Sequence, residues 1–523
     1  MQRGEAVVMS TLRARVGGNR VWRASGKYLE TPYASVQLMI AAGGGLLFFG
    51  LLMSASTTIS ASQHTTGNAM WSQLIREIAF LAIGVPVFWL AVRMPPVVYR
   101  RLVYPTLALA LMALVGVLVP GIGVTINSAH RWIQLGPLTI QPSEFAKLAV
   151  LLWGADLLAR KESLKTLTSA KHVLVPLVPG FVAVIALVML EPDLGTTLCF
   201  LLLLLGLLWM VGLPFRYFTF VFTVMVGAVT ALAVAEPYRL QRITTFLHPN
   251  ADAGNTGFQT LHGLQALASG GLFGVGLGRG TLKYGWVPNA NTDYVFSVVG
   301  EELGLLGSFV VLGLFGLFTY SAIRIAGRCN DPFVRLVASG TAIWFAGQAL
   351  INIGYVTALL PVTGIPLPFI SNGGTSLVLT CGVFGMLVSF ARHEPAAVKA
   401  AQRAVRNGTV VWWVRALRLG TPKPIQRASR SAGRTADDSP VSKQNPSKQN
   451  PSKQNPANQN QPKQNQPKQN QPKQTPRPTH ARAATTTSAR PAKPAAAGQR
   501  RVAAPPPNPR LRPTGTESSG RRG

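Results

Sequence analysis

Long apolar runs interrupt the first 392 residues, and they constrain this chain more than any other feature. They cover about residues 35–54, 74–92, 102–120, 142–159, 173–190, 195–212, 215–235, 293–321, 333–357 and 366–391. A helix of about 20 apolar residues crosses the roughly 30 Å of hydrocarbon in a bilayer. Because lipid offers the backbone no hydrogen-bond partners, such runs form helices. The sequence therefore predicts an all-α polytopic membrane protein with about ten transmembrane helices.

Most of the charge lies outside these runs. The formal net charge is +32, although only 13% of the residues are charged and 48% are hydrophobic. Residues 395–523 carry 25 Lys and Arg against three Asp and Glu, so +22 of the net charge belongs to the last quarter of the chain. The high charge is thus a property of a tail attached to a membrane protein, and we expect no nucleic-acid partner.

The charges of the connecting loops predict the orientation. Basic residues occur in alternate connections, for example around Arg100, Arg160 and Arg324, whereas the other short connections carry hardly any except Arg131. Cytoplasmic loops of membrane proteins are enriched in Lys and Arg. We therefore expect both termini in the cytoplasm and one large loop, residues 236–292, on the outside.

The chain divides into three predicted parts. Residues 1–34 form a basic cytoplasmic segment, residues 35–392 form the membrane domain, and residues 393–523 form a basic cytoplasmic tail. The tail repeats SKQNP three times within residues 442–456. Its Pro, Gln, Asn and Lys cannot bury a core, which predicts disorder. The basic tail is suited to holding anionic lipid or an acidic cytoplasmic partner.

Asp293 is the first candidate for a chemical role. Acidic residues are scarce, with 18 Asp and Glu in 523 residues, and Asp293 stands where the large loop meets an apolar run. Keeping a carboxylate at a membrane boundary costs free energy, so a residue of this kind is a functional candidate by default.

Two further clusters of charged residues, each with at least one acid, lie near predicted helix starts. Glu144 and Lys147 follow the helix-starting Pro142 and share one helix face, either lining a cavity or forming a structural ion pair. Glu191 and Asp193 lie in a tight turn between two runs. They either bind a cation or a basic group, or Asp193 simply caps the next helix.

The large loop and the last interrupted run supply the remaining candidates. Arg239 and Arg242 have the planar fork that grips phosphate, although anchoring to lipid headgroups would use the same residues. The segment Asn352–Ser376, which contains Ser371, has three prolines and repeated glycines. It predicts a broken helix that lines a cavity. The seven histidines show no metal-ligand spacing.

Five segments together resemble a known family. They are WIQLGPLTIQPSEFAK (132–147), EPDLGT (191–196), GLFGVGLG (271–278), TDYVFSVVGEELG (292–304) and LPVTGIPLPFISNGGTS (360–376). In this order they resemble the SEDS family of bacterial shape, elongation, division and sporulation proteins. The resemblance covers about residues 35–392 and neither tail. It is closest to the division member of an actinobacterial type, with the elongation member as the alternative.

The resemblance implies a peptidoglycan glycosyltransferase that polymerises lipid II, an undecaprenyl-pyrophosphate-linked disaccharide-pentapeptide, into glycan strands. Asp293 matches the essential acidic residue of the family and is the predicted catalytic residue. The predicted substrate-binding residues are Arg131, Glu144, Lys147, Arg239, Arg242 and Ser371. A lipid II flippase and a division scaffold that recruits a transpeptidase are the alternative functions.

The same resemblance implies partners and a place of action. They are a class B penicillin-binding protein transpeptidase and other division membrane proteins, in the bacterial cell membrane at the division septum. The leaving pyrophosphate needs cationic help, from basic side chains or from a divalent ion such as Mg²⁺ or Mn²⁺.

The sequence departs from the family pattern beside the predicted catalytic residue. Asn289, Asn291 and Tyr294 replace the usual Glu, His and Phe, and Asn372 replaces a Tyr. A neighbouring His that could relay a proton is therefore missing. This leaves open whether Asp293 is a general base or a cation ligand.

Overall fold

The structure is a computed structural model of the 523-residue chain. It describes residues 28–61, 68–126, 129–136, 138–165, 167, 169–235, 244–246, 257–281, 290–371, 374–409, 414–415 and 418–424. The helices within these ranges are α1 (Ala34–Ala61), α2 (Asn68–Arg93), α3 (Pro96–Leu118), α4 (Pro142–Ser163), α5 (Ala170–Leu174), α6 (Leu177–Leu190), α7 (Leu194–Met210), α8 (Phe215–Ala235), α9 (Phe258–Ser269), α10 (Val295–Arg328), α11 (Pro332–Val356), α12 (Thr375–Arg392) and α13 (Pro395–Arg406).

The predicted helical membrane class is confirmed. Among the described residues, seven stretches are long and apolar enough to cross a membrane: α1, most of α2, α3, the α5–α6 pair, α10, α11 and α12. Helix α7 is apolar but shorter, as is the apolar part of α8. Helix α4 follows the fourth predicted run, but it buries the charged side chains Glu144, Lys147 and Asp156. The count of ten spans stays a prediction.

A small β-sheet was not expected from the sequence. The strands β1 (Gly123–Ile126), β2 (Ala129–Leu135) and β3 (Leu138–Ile140) form one antiparallel sheet in the order β1-β2-β3, in the connection between α3 and α4. Gly136, with φ +61°, lies at the β2–β3 turn, where glycine accepts this conformation at little cost. The sheet adds to the helical fold and positions Arg131 on β2.

The helices pack as a bundle around one apolar core. Helix α12 packs along α2, α10 lies against α11 and α1, and α3 lies against α4. The rings of Phe318, Phe345, Phe369 and Phe384 meet between α10, α11, α12 and the segment before α12, with neighbouring centroids 5.1–6.0 Å apart. Burial of these rings is a major source of packing energy. It also anchors Phe369, whose φ of +67° is unusual for a residue with a side chain.

Helix α10 breaks at Gly304, and the glycine-rich loop after α9 fills the break. Gly304 has φ +68° and ψ −165°. Val275 and Gly276 donate their N–H groups to the carbonyls of Glu301 and Glu302 at 3.0 and 3.1 Å, and Leu305 donates to the Gly271 carbonyl at 3.0 Å. The loop therefore pairs with backbone groups at the helix break.

The two acids beside this break have structural partners. Both carboxylate oxygens of Glu302 accept from the Ser56 hydroxyl of α1, at 2.6 and 2.7 Å. Glu301 accepts from the backbone N–H of Thr281 at 2.6 Å. Each glutamate is 1% exposed. They hold the loop and α1 against α10, so of the three acids within residues 293–302 only Asp293 remains as a catalytic candidate.

Gly270→Ala tests this loop-to-helix packing. A Cβ at position 270 would lie 1.9 Å from the Gly300 carbonyl oxygen, so the backbones must separate. We expect a loss of about 1–3 kcal/mol or more, from overpacking of the interface, seen as a lower melting temperature in detergent. Gly313→Ala in α10 is the matched control, because its Cβ would meet nothing within 4 Å. Equal melting temperatures of the two variants would contradict the close packing.

Candidate functional site

Asp293 lies at one end of the bundle, two residues before α10 begins, and it is partly buried. Its backbone carbonyl accepts hydrogen bonds from Asn352 Nδ2 and from the Tyr355 hydroxyl, each at 3.0 Å. Its Oδ2 faces Gly364, where an added Cβ would lie 3.6 Å away. The carboxylate is therefore placed beside the segment between α11 and α12.

In its described residues, 357–371 and 374, that segment has no regular helix, as its prolines and glycines predicted. The last predicted run begins at residue 366, but α12 begins only at Thr375. Gly364 has φ +70°, a conformation that favours glycine. We name residues 361–371 the broken segment. Every predicted site residue that the structure describes lies in this segment or is linked to it by the contacts described below.

Ser371, a predicted substrate-binding residue, bonds within the protein. Its hydroxyl donates to the Thr292 carbonyl at 2.5 Å and accepts from the Leu367 N–H at 2.8 Å. The side chain is thus used to close the broken segment onto the residue before Asp293. This places Ser371 beside the predicted catalytic residue, with its hydroxyl engaged in the fold.

The predicted pair of Glu144 and Lys147 forms inside the bundle. Pro142 begins α4, and Lys147 Nζ lies 2.8 Å from Glu144 Oε1. The side chains are 1% and 7% exposed. Lys147 also lies 5.2 Å from the Trp344 ring, and Ser376 donates to Glu144 Oε2 at 3.3 Å. The charges are neutralised locally, as a buried ion pair requires.

Gln348 connects this pair to the broken segment. Its Oε1 accepts from Trp344 Nε1 at 2.7 Å and from Lys147 Nζ at 3.5 Å, while its Nε2 donates to the Pro366 carbonyl at 2.8 Å. Trp344, Gln348, Asn352 and Tyr355 were not among the predicted site residues. Their spacing places four side chains with polar groups on one face of an otherwise apolar helix. This periodicity was the signal in the sequence that could have identified them.

The turn between α6 and α7 carries a second charged group at this end. Asp193 caps α7 by accepting from the Thr196 N–H at 3.0 Å, so the capping interpretation is confirmed. Arg131 Nη1 lies 3.3 Å from Asp193 Oδ2, and Gln141 Nε2 donates to the same oxygen at 3.2 Å. An added Cβ at Gly195 would lie 2.7 Å from the Thr363 carbonyl, so this turn packs on the broken segment.

Glu191, in the same turn, is wholly buried. Neither carboxylate oxygen has a hydrogen-bond partner among the described residues. Burial raises its pKa to about 8; the neighbouring Asp193 charge acts in the same direction, and Arg131 opposes both. Glu191 is therefore neutral near pH 7, which leaves Asp193 as the charged partner of Arg131.

Two predicted substrate-binding residues, Arg239 and Arg242, lie outside the described part of the chain. So do Asn289 and Asn372, two of the departures from the family pattern. Within the described residues, no group of three or more His, Cys, Asp or Glu side chains could hold a metal ion. The divalent cation stays a prediction. The described residues around the broken segment include the carboxylate of Asp293 and two ion pairs, Arg131 with Asp193 and Lys147 with Glu144.

A partly buried carboxylate near paired cations can accept a proton from a hydroxyl, or orient it, while cations balance a departing anion. These groups surround a non-helical segment in a helical membrane bundle, which defines an integral membrane protein with a polar site at one end. The family model described as "Cell cycle protein", which joins FtsW, RodA and SpoVE, matches residues 36–396. The chain belongs to this family, so the resemblance seen in the sequence is confirmed.

Individual relatives agree with the family match. The probable peptidoglycan glycosyltransferase FtsW of Mycobacterium tuberculosis is 41% identical over 399 residues, 76% of this chain and 75% of that protein. Stage V sporulation protein E of Bacillus subtilis is 34% identical over 67% of this chain and 94% of its own length.

Solved structures share the fold. A chain from a peptidoglycan synthase complex that coordinates polymerization and crosslinking is similar with a TM-score of 0.57 and 27% identity, over 68% of this chain and 97% of that one. The rod shape determining protein RodA of Thermus thermophilus, as an alanine mutant, is similar with a TM-score of 0.50 and 27% identity, over the same shares.

Lys147→Met tests what the buried pair contributes to stability. Removing the ammonium leaves Glu144 buried without its ion partner, which we expect to cost about 3–5 kcal/mol and to lower the melting temperature in detergent. The double variant Glu144→Gln with Lys147→Met removes both charges and should recover most of the loss. If the single and double variants have the same melting temperature, the ion pair does not contribute to stability.

Glu191→Gln tests the buried neutral acid. In wild type the unfolded chain ionises Glu191 above about pH 4.5 and the folded protein only near pH 8, so wild-type stability falls between these values. Gln cannot ionise, so the variant should gain in melting temperature over wild type as pH rises from 5 to 8. Glu30→Gln, at an exposed acid, is the control and should show no such trend. A constant difference for Glu191→Gln would contradict the assignment.

Proposed function

We propose that this chain is a peptidoglycan glycosyltransferase that polymerises lipid II into glycan strands during cell division. The observation that carries the proposal is the placement of Asp293 beside the broken segment, in a chain of the FtsW, RodA and SpoVE family. The FtsW name of relatives at 41% identity favours division over elongation.

The chemistry requires a proton acceptor and positive charge at one place. The 4-hydroxyl of the acceptor sugar attacks the anomeric carbon of the donor, its proton leaves, and the bond to the lipid pyrophosphate breaks. Asp293 accepts or orients this proton. Arg131, and also Arg239 and Arg242 from the large loop, balance the pyrophosphate charge, which a divalent cation can share. Lys147 and Glu144 line the deeper wall of the site.

The orientation of the chain is part of the proposal. The Asp293 end faces outward, where lipid-linked sugars are polymerised, and both termini are cytoplasmic. The distribution of Arg and Lys among the loops supports it. The basic tail then lies on the cytoplasmic side, where it can hold anionic lipid or an acidic partner.

A class B penicillin-binding protein transpeptidase is the proposed partner at the division septum. Support comes from the similarity to a chain solved within a peptidoglycan synthase complex. In such a pair, one protein makes the strand and the other crosslinks it, so association keeps the new strand near the crosslinking site.

Asp293→Asn is the central test. The amide keeps the size of the side chain but cannot accept the proton, and loss of a general base typically lowers a rate by about 10²–10⁴-fold. The purified protein with its transpeptidase is incubated with lipid II, with and without Mg²⁺ or Mn²⁺, and strands are separated by size. Glu30→Gln, at an exposed acid, should polymerise at the wild-type rate.

Two results would overturn the proposal. Strand formation by Asp293→Asn at the wild-type rate would remove Asp293 from the chemistry. Translocation of labelled lipid II across vesicles by a wild-type protein that makes no strands would instead favour the flippase alternative.

A further inference from the structure

Helix α11 carries three buried polar side chains on one face. Gln348, Asn352 and Tyr355 stand at helical spacing and are 2%, 0% and 0% exposed. A polar group buried without a partner costs free energy, so each of these side chains needs one. Four residues apart and then three, they form a continuous stripe along the helix.

Their partners are carbonyl groups of the broken segment. Gln348 donates to Pro366, Asn352 Nδ2 donates to Ile365 at 2.8 Å, and the Tyr355 hydroxyl donates to Ile365 at 2.7 Å. These carbonyls have left the helical pattern, so the stripe supplies the hydrogen bonds that a helix would have supplied.

Asn352 and Tyr355 also reach a second stretch of chain. Both contact the Asp293 carbonyl at 3.0 Å, the same group that precedes the start of α10. Two side chains of one helix therefore bridge Ile365 and Asp293, and Gly364, the residue before Ile365, faces the Asp293 carboxylate. The tyrosine ring packs against Tyr294, with centroids 5.7 Å apart, which restricts its movement.

We propose that Asn352 and Tyr355 are positioning residues that set the place of the Asp293 carboxylate against Gly364. The inference rests on the proposed function, because it assigns these side chains a part in strand formation. They do not touch the reacting atoms. They act on the backbone of Asp293, which fixes where its side chain leaves the chain.

The number of protons predicts the relative importance of the two residues. The Asn352 amide has two N–H groups for three acceptors, the two carbonyls and the Tyr355 hydroxyl oxygen 2.6 Å from Nδ2, whereas the Tyr355 hydroxyl has one proton for the two carbonyls. Loss of the hydroxyl leaves both carbonyls with the amide as donor. Loss of the amide leaves the two carbonyls with a single proton between them, so Asn352 should matter more.

Tyr355→Phe and Asn352→Ala are the test variants, measured for kcat and KM with lipid II in the complex with the transpeptidase. Because small misplacements of a reacting group cost up to about 100-fold in rate, we expect kcat to fall roughly tenfold in Tyr355→Phe and roughly 100-fold in Asn352→Ala. KM should stay within about twofold of wild type in both, because the substrate contacts are unchanged.

Thr341→Val is the matched control. Thr341 is buried on the same helix, but its hydroxyl bonds to the Val337 carbonyl within that helix. It should keep wild-type kcat. Melting temperatures of all variants are measured. If Asn352 and Tyr355 only stabilise the fold, the loss of kcat should follow the loss of folded protein. Rates are therefore normalised to folded protein.

Asp293→Asn, assayed in parallel, separates the two proposals. If Asp293→Asn is inactive while both stripe variants keep the wild-type kcat, the positioning inference is wrong and the proposed function stands. If KM rises in proportion to the fall in kcat/KM at unchanged kcat, the stripe binds substrate and the inference is also wrong. If Asp293→Asn polymerises normally, the proposed function fails, and the positioning inference fails with it.

Discussion

The organisation of this protein depends on how the carbonyls of a non-helical segment are satisfied inside a helical membrane bundle. Lipid supplies no donors, so a break in a helix persists only where protein groups replace the lost hydrogen bonds. Gln348, Asn352 and Tyr355 do this for Ile365 and Pro366. At the break in α10 at Gly304, backbone groups of the glycine-rich loop replace the lost hydrogen bonds. Asp293 lies where the first of these arrangements meets the start of α10, so the site follows from the way the bundle accommodates its irregular backbone.

Several buried charged residues described at the same end either have ion partners or are neutral. Lys147 and Glu144 neutralise each other, and Arg131 is paired with Asp193. Glu191 has no described partner, and its raised pKa keeps it neutral instead. This arrangement limits the desolvation cost while keeping cations near a carboxylate. The proposed function, which handles a charged lipid carrier, gives a reason to retain these groups, even though apolar replacements would often stabilise the fold as well or better.

Local sequence patterns predicted the local structure well. Pro142 begins α4, Glu144 and Lys147 pair three residues apart, Asp193 caps α7, and the segment Asn352–Ser376 contains the expected break. Each depends on residues that lie close together in the sequence. The three-stranded sheet was missed because its strands are three to seven residues long in a chain dominated by apolar helices. Substrate binding by Ser371 stays a prediction; its hydroxyl bonds to Leu367 and to Thr292, and the bond to Thr292 spans 79 residues and leaves no pattern in sequence.

The sequence by itself determined that this is a helical membrane protein, which acid stands at the boundary of an apolar run, and which family the chain resembles. These follow from composition, periodicity and local motifs, which need no knowledge of distant contacts. Only the tertiary structure decided which groups surround Asp293. It brings α11, the broken segment and the turn after α6 to one place, although they are far apart along the chain. It also separated Glu301 and Glu302, which hold the glycine-rich loop and α1, from Asp293, because the role of a carboxylate depends on the partners that folding brings to it.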